Sequence, residues 1–199
     1  MDIVAYLNVS YRVAQRCTLD PLRPTPANLT KVQVHDFAER VAQSLEFRPG
    51  DPMEPVLARL GGRLSLRNPF AIGDEVAESI RVEPQGTFTI FVSSITSAER
   101  DRFTIAHELG HYFLHFPLIR KKHPGQVMIA TRWVDETDND QRRAEWEANW
   151  FAAGFLMPQA AFVQTFIKRG GNIKSVASFF GVSPQAAEVR AKTLQLIAG

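Results

Sequence analysis

Two histidines four residues apart, His107 and His111, enclose a glutamate in the sequence His-Glu-Leu-Gly-His. On an α-helix, residues at this spacing share one face, so both imidazoles can bind the same zinc ion. Glu108 would then lie beside the metal, where it can act as a general base. The motif therefore predicts a zinc site. A zinc hydrolase usually takes three protein ligands and keeps a fourth position for water, so a third ligand must come from elsewhere in the chain.

Two glutamates of a later predicted helix, residues 141–157, compete for the third position. On a helical wheel, the apolar residues of this helix define one buried arc. Glu145 lies inside that arc, near its edge, whereas Glu147 points well away from its centre. A carboxylate on a buried face needs a partner, because burying it alone is energetically costly. We therefore predict Glu145 as the third ligand, with Glu147 as the alternative.

Asn149 follows Glu145 by one helical turn. Its side chain can accept a hydrogen bond from the free ring N–H of a zinc-bound histidine and so fix the histidine tautomer. In the predicted mechanism, zinc activates water and polarises the scissile carbonyl, while Glu108 takes the proton and passes it to the leaving amine. The sequence assigns no group to the oxyanion. Tyr112 is too close in sequence to the predicted ligand His111 to be assigned as the group that stabilises the oxyanion. His123 is suggested for this role only by its position in a predicted loop.

Signals for a helix surround the histidine motif. Thr96 and Glu99 have the spacing of a capping box, which predicts the start of the helix, and Pro117 predicts its end. A third histidine, His115, follows His111 at the same spacing of four residues. The drift around the helix and the nearby proline favour a packing or capping role for His115 over metal binding.

The remaining patterns predict an α+β fold, in which helices pack on a small sheet of about three strands. The C-terminal pair of helices resembles a helix-turn-helix, with Ser183 as a cap and Pro184 at the first helical position. The prolines of residues 1–30 favour an N-terminal extension, so the predicted divisions are 1–30, 31–169 and 170–199. Predicted helices cover 34–47, 54–60, 141–157 and 158–168, and predicted strands cover 63–66, 77–83, 87–93 and 127–130.

Composition places the 199-residue chain among ordinary globular proteins, with 45% apolar and 22% charged residues. The net charge of +2 is too small to indicate nucleic-acid binding. Cys17 is the one cysteine, which excludes an internal disulfide and a cysteine-rich zinc site. We find no apolar run long enough for a membrane span and no signal-peptide pattern, so we expect a cytoplasmic protein.

Two long motifs together resemble the ImmA/IrrE family of zinc metallopeptidases. They are Arg-Phe-Thr-Ile-Ala-His-Glu-Leu-Gly-His-Tyr-Phe-Leu-His at 102–115 and Glu-x-x-Ala-Asn-x-Phe-Ala-Ala-x-x-Leu-Met-Pro at 145–158. The resemblance covers about residues 34 to 197. It implies a zincin-like, gluzincin-type site with His107, His111 and Glu145 on zinc and Glu108 as the base. Asn149 stands where gluzincins of the thermolysin kind carry aspartate, and it suits the family pattern.

The resemblance also implies a bacterial or phage intracellular regulator that cleaves an Xre-type helix-turn-helix repressor. Some relatives are toxin–antitoxin or phage components, so an antitoxin is a second possible substrate. Two alternatives stay open, a non-proteolytic zinc-containing regulator or toxin and a DNA-binding module that uses the C-terminal helices. Direct DNA binding is not expected, because the last helix offers only Arg190 and Lys192 as cations. The sequence does not indicate an oligomeric state.

Overall fold

The computed structural model describes residues 20–67, 78–93, 95–133, 135 and 137–198. Cys17 and residues 1–19 of the predicted N-terminal extension lie outside these residues. The helices are α1 (Lys31–Ser44), α2 (Glu54–Arg59), α3 (Ala98–Gly110), α4 (Phe116–Lys122), α5 (Asn139–Leu156), α6 (Gln159–Lys168), α7 (Ile173–Phe180) and α8 (Pro184–Thr193). The strands are β1 (Gly62–Arg67), β2 (Glu78–Val82), β3 (Phe88–Ser93) and β4 (Met128–Thr131). The predicted α+β class is confirmed.

The four strands form one sheet in the order β1-β3-β2-β4. Strands β2 and β3 pair antiparallel as the predicted hairpin, and β4 pairs antiparallel with β2 on the other side. Strand β1 pairs parallel with β3. The sheet has one strand more than the expected three, because the short strand predicted at 127–130 joins it. Leu22 extends the sheet past β4 through two backbone hydrogen bonds of 2.9 Å, one to Val127 and one from Ile129.

Helix α5 lies between two other helices at the centre of the core. Leu109 of α3 packs towards it from one side and Ala38 of α1 from the other, and both are fully buried. A Cβ atom on Gly154 of α5 would lie 3.1 Å from the Cβ of Ala38, so α1 and α5 approach closely. Helix α5 is therefore covered on more than one face.

The ligand helix differs from its prediction at both ends. Ser97, not Thr96, is the N-cap of α3, and its side chain accepts from the N–H of Arg100. The predicted stop at Pro117 is wrong, since α3 continues through a π-helical turn, His111–His115, into α4. Proline in a regular α-helix clashes with the carbonyl four residues earlier, and the wider π turn just before Pro117 relieves that clash. Pro117 thus lies in the first turn of α4, where the missing N–H costs little.

The C-terminal helices pack on the rest of the fold. Ser183 caps α8 as predicted, and its hydroxyl accepts from Ala186 N. Arg190 of α8 is buried and donates to the Met157 carbonyl at 3.0 Å. It also lies 3.0 Å from His35 Nδ1 and 3.1 Å from Glu39 of α1. The predicted divisions at residues 30 and 169 stay predictions, and hydrogen bonds cross both of them.

In the part of the chain that the structure describes, no single helix is both long and apolar enough to cross a bilayer. Helices α5 and α6 reach that composition only as a pair, bent by 58° at their junction. Most of the apolar residues of α5 are buried, and Trp146 is exposed.

Candidate metal centre

A close contact between α3 and α5 brings the predicted ligands together. A Cβ atom on Gly110 would lie 2.8 Å from the Cα of Ala148 and 3.1 Å from its carbonyl oxygen. Only glycine permits this separation without movement of a backbone. Glu145 lies one turn before Ala148 on α5, so the contact places its carboxylate opposite His107 and His111.

The three predicted ligands meet at one point. Glu145 Oε2 lies 3.2 Å from His107 Nε2, and Glu145 Oε1 lies 3.2 Å from His111 Nε2. The two Nε2 atoms are 3.1 Å apart. A tetrahedral ion with bonds near 2.0–2.2 Å keeps its ligand atoms about 3.4 Å from each other. The spacing and the N, N, O donor set therefore fit three ligands of a zinc ion, with one position left open.

The electrostatics of this cluster favour positive charge. Burial opposes protonation of His107, but the hydrogen bond with Glu145 and the carboxylate of Glu108 outweigh it and raise the His107 pKa to about 9. Burial lowers the pKa of His111 to about 3, and the adjacent Glu145 carboxylate only partly offsets this effect. Burial also opposes ionisation of Glu145, but its contacts with His107 and His111 outweigh burial and hold the Glu145 pKa well below the usual range. A divalent cation suits this place and would displace the proton from His107.

Glu108 is buried beside the cluster, where the hydroxyl of Ser79 donates to its Oε2 at 3.1 Å. Burial raises the pKa of Glu108 to about 7, opposed by His107 and the Ser79 hydrogen bond and reinforced by Glu145. A carboxyl group that titrates near neutrality is suited to accepting and returning a proton. Ser79 belongs to β2, and no sequence pattern marks it as part of the site.

Asn149 lies where the sequence predicts it. Its Oδ1 atom is 3.0 Å from His107 Nδ1. An amide oxygen can only accept, so His107 donates to it through Nδ1. Once a metal ion displaces the other ring proton, the lone pair lies on Nε2, which faces Glu145. This is the tautomer that a metal ligand requires.

The prediction that Glu147 points away from the buried side of α5 is wrong, because its side chain is fully buried. Its Oε2 accepts from Ala27 N at 2.8 Å, and its Oε1 accepts from Leu29 N at 3.0 Å and Arg143 Nε at 3.2 Å. The residues before α1 cover this face of α5, which a helical wheel with one buried arc does not anticipate. Glu147 is nevertheless outside the metal-ligand cluster.

His115 connects Glu147 to the cluster. Its Nε2 lies 3.1 Å from Glu147 Oε2, and its Nδ1 lies 3.0 Å from His111 Nδ1. Burial lowers the pKa of His115, against the hydrogen bond with Glu147. The expected packing role is therefore only part of what His115 does, because its ring also hydrogen-bonds a predicted ligand.

An open cleft of about 590 Å³ gives access to His107, Glu108 and Glu145. Arg100 and Arg132 also line this cleft, and neither is marked by a sequence motif. Neither candidate for the oxyanion is among the lining residues. Tyr112 stacks near Phe88, with ring centroids 4.4 Å apart, and His123 is exposed at the end of α4.

A second groove, of about 760 Å³, shares Arg100, Phe103, Thr104 and Asn149 with the cleft and extends to α8. Trp146 and Val189 line it and are exposed. The two cavities therefore form a continuous surface from the ligand cluster to the C-terminal helices.

The α+β fold with a His-His-Glu cluster on two crossing helices defines a metallopeptidase-type domain. The chain belongs to the peptidase family described as the IrrE N-terminal-like domain, whose family model matches residues 66–192. This confirms the ImmA/IrrE resemblance. Membership supports a metallopeptidase-type regulator.

A solved structure of a Mycobacterium tuberculosis transcriptional regulator is similar to this chain, with a TM-score of 0.58 and 21% sequence identity. The similarity covers 85% of this chain and 48% of that chain, so this chain spans about half the length of the regulator. At this identity the likeness shows the fold alone. No curated protein matches the chain significantly.

Proposed function

We propose that the protein is a zinc-dependent regulatory metalloprotease that hydrolyses a peptide bond in another protein. His107, His111 and Glu145 hold the zinc ion, and Glu108 is the general base. The observation that carries the proposal is the convergence of three side chains: the Nε2 atoms of His107 and His111 are 3.1 Å apart, and each lies 3.2 Å from one carboxylate oxygen of Glu145. Glu108, which titrates near pH 7, lies directly beside them.

A zinc ion held by His107, His111 and Glu145 would provide Lewis-acid chemistry, which lowers the pKa of water and polarises a carbonyl group. Glu108 accepts the proton from the attacking water and later delivers it to the amine of the leaving peptide. Ser79 orients the Glu108 carboxylate through its hydrogen bond. Arg100 and Arg132 line the cleft and supply positive charge for the oxyanion that develops on the substrate.

We further propose that the substrate is an Xre-type helix-turn-helix repressor or an antitoxin. The family resemblance motivates this substrate, and the continuous surface from the cleft to α8 is long enough for a polypeptide rather than a small molecule. The exposed Trp146 and Val189 would contact apolar side chains of that protein. The protein would act in the cytoplasm, where such repressors bind DNA.

The test is cleavage of the repressor encoded beside the gene for this protein, using the pure, zinc-loaded full chain and mass spectrometry of the products. Glu108→Gln is the matched control, because it keeps the size and burial of the side chain but cannot accept the proton. We expect it to bind zinc and to lose about 10²–10⁴-fold in cleavage rate, the usual contribution of general acid–base catalysis. Cleavage at the wild-type rate by Glu108→Gln would refute the mechanism.

A DNA-binding module is the second candidate, favoured by the two C-terminal helices. The positions of its cations argue against it, because Arg190 is buried and Lys192 pairs with Glu188 at 3.0 Å. A salt-dependent gel shift at micromolar protein would support this function. If the protein is instead a toxin, toxicity that persists in Glu108→Gln would separate that activity from proteolysis.

A further inference from the structure

A chain of hydrogen bonds leads from the metal-ligand cluster into the protein interior. It runs from His111 Nδ1 to His115 Nδ1 over 3.0 Å, and from His115 Nε2 to Glu147 Oε2 over 3.1 Å. All three side chains are fully buried. Neither His115 nor Glu147 belongs to the cluster that can hold a metal ion.

The Glu147 carboxylate, at the buried end of this series of hydrogen bonds, determines which group donates in each of them. The other partners described for the Glu147 carboxylate are all N–H donors, namely Ala27 N, Leu29 N and Arg143 Nε. A carboxylate only accepts, so His115 donates through Nε2. In a neutral imidazole the other nitrogen, Nδ1, then keeps its lone pair and can accept from His111.

His111 must then donate through Nδ1, which leaves the lone pair of His111 on Nε2. That atom is the one that faces His107 and Glu145. The protein interior therefore selects the His111 tautomer that can bind a metal.

We propose that His115 and Glu147 are positioning residues that hold His111 in its metal-binding tautomer and orientation. The inference rests on the proposed zinc site. Neither residue touches the substrate or the reacting atoms. Asn149 performs the same task for His107 from the solvent side, so the two histidines are oriented by separate partners.

The segment before α1 takes part in this arrangement. Ala27 and Leu29 donate from their backbone to both oxygens of Glu147, over 2.8 and 3.0 Å. These bonds fix the carboxylate plane on which the His115 ring aligns. Residues 27–29 thus support the metal site although no side chain of theirs is needed for it.

Glu147→Gln is the sharpest variant, because it changes the hydrogen-bond direction with almost no change in volume. Oε1 faces two N–H donors that cannot reverse, Leu29 N and Arg143 Nε, whereas Oε2 faces one, Ala27 N, together with His115. The new amide NH₂ therefore opposes fewer fixed donors at the Oε2 position. There His115 can adapt by moving its proton to Nδ1, and it would then oppose the N–H of His111. Loss of such a supporting partner typically weakens metal binding, so we expect the zinc Kd to rise about 10–100-fold.

His115→Phe and His115→Asn form a matched pair. Phenylalanine removes the acceptor for His111 and should give the same loss of zinc affinity. Asparagine can place its Oδ1 near the position of the His115 Nδ1 atom and accept from His111, so it should recover most of the affinity. Phe162→Leu controls for stability alone, because Phe162 is buried against Phe180 in α6 and α7, with ring centroids 5.4 Å apart.

The experiment measures zinc affinity by competition with a chelator of known Kd, together with ¹⁵N histidine NMR of the zinc-loaded wild-type chain. Wild type should show the proton of His111 on Nδ1 and that of His115 on Nε2. A His115 proton on Nδ1, or Glu147→Gln with wild-type zinc affinity, overturns the proposal while leaving the metalloprotease intact. Wild-type protein that fails to bind zinc at His107 and His111 refutes the proposed function itself. The NMR measurement decides the matter even if a variant does not fold.

Discussion

Replacing Gly110 by alanine tests whether the contact between α3 and α5 sets the geometry of the metal centre. The new Cβ would lie 2.8 Å from the Cα of Ala148. Non-bonded carbon atoms prefer about 3.5–4.0 Å, so the helices must separate by roughly 0.7–1.2 Å. Because the Cα of Ala148 is a main-chain atom of α5, no side-chain rotation can relieve the clash.

Two opposing effects determine the stability of Gly110→Ala. Overpacking a core costs about 1–3 kcal/mol. Alanine in a helix recovers about 1 kcal/mol relative to glycine. The net loss in the free energy of unfolding is therefore only about 0–2 kcal/mol.

Zinc affinity is the more sensitive property. The displacement of α5 carries Glu145 away from His107 and His111, and metal–ligand distances tolerate only about 0.2 Å. We expect the zinc Kd to rise at least about tenfold, comparable to the loss of a partner that orients a ligand.

The assay is chelator competition for zinc affinity, alongside urea unfolding monitored by circular dichroism. Gly154→Ala is the matched control, since its Cβ would lie 3.1 Å from the Cβ of Ala38 and would overpack α5 against α1 instead. It should lose stability and retain zinc affinity. If Gly110→Ala binds zinc as tightly as wild type, the close helix contact does not determine the spacing of the ligands.

Three further predictions address other parts of the molecule. Burial and the nearby Arg190 guanidinium lower the pKa of His35 to about 4 from 6.5, so its stabilising contribution is present above pH 6.5 and is lost as the pH falls towards 4. We expect the free energy of unfolding, measured by urea titration, to fall by up to about 3 kcal/mol between pH 6.5 and 4. His35→Asn should make the free energy of unfolding less dependent on pH in this range. If the pH dependence of the variant equals that of wild type, His35 is not its source. Ser79→Ala should lower kcat by about tenfold through a poorly oriented Glu108 and leave zinc affinity unchanged, so a parallel loss of zinc would contradict the assigned role. If free zinc is present at a thousand times its Kd, removing it with a chelator should lower the free energy of unfolding by about 4 kcal/mol. Adding zinc back should restore the stability. A melting curve that the chelator does not change would argue against a bound ion.

Local patterns predicted the elements that carry the site. The histidine spacing, the hairpin and the Ser183 cap depend on residues that are close in sequence, and the structure forms each of them. The pairing of β1 with β3 is parallel and joins segments separated by the whole hairpin. Such a pairing is decided by the packing of the complete sheet, which no short stretch of sequence encodes.

The choice between the two glutamates of α5 shows a limit of the helical wheel. Glu145 does lie with the histidines, but the reason given for rejecting Glu147 was wrong, because Glu147 is the more buried of the two. The wheel assumes that a helix has one buried side. The segment that covers Glu147 contains prolines and no periodic pattern, so its position over α5 could not be deduced from sequence.

The prediction that Pro117 ends the helix fails for a related reason. Proline ends a regular α-helix, but here the preceding turn is π-helical and the chain continues in the same direction. The π turn spans His111–His115. Its first and last residues are the two histidines whose rings are hydrogen-bonded to each other beside the metal-ligand cluster. Propensity rules describe isolated helices, and this turn is stabilised by buried contacts with α5.

The two backbone donors at Ala27 and Leu29 have an evolutionary consequence. Both residues reach Glu147 through main-chain N–H groups, which every amino acid except proline possesses. A relative could therefore differ at both positions and keep both hydrogen bonds. The segment lies before residue 66, where the family match begins, so its link to the metal centre can persist while its sequence diverges. Substitution by proline at either position is the one change of residue type that would remove a donor outright.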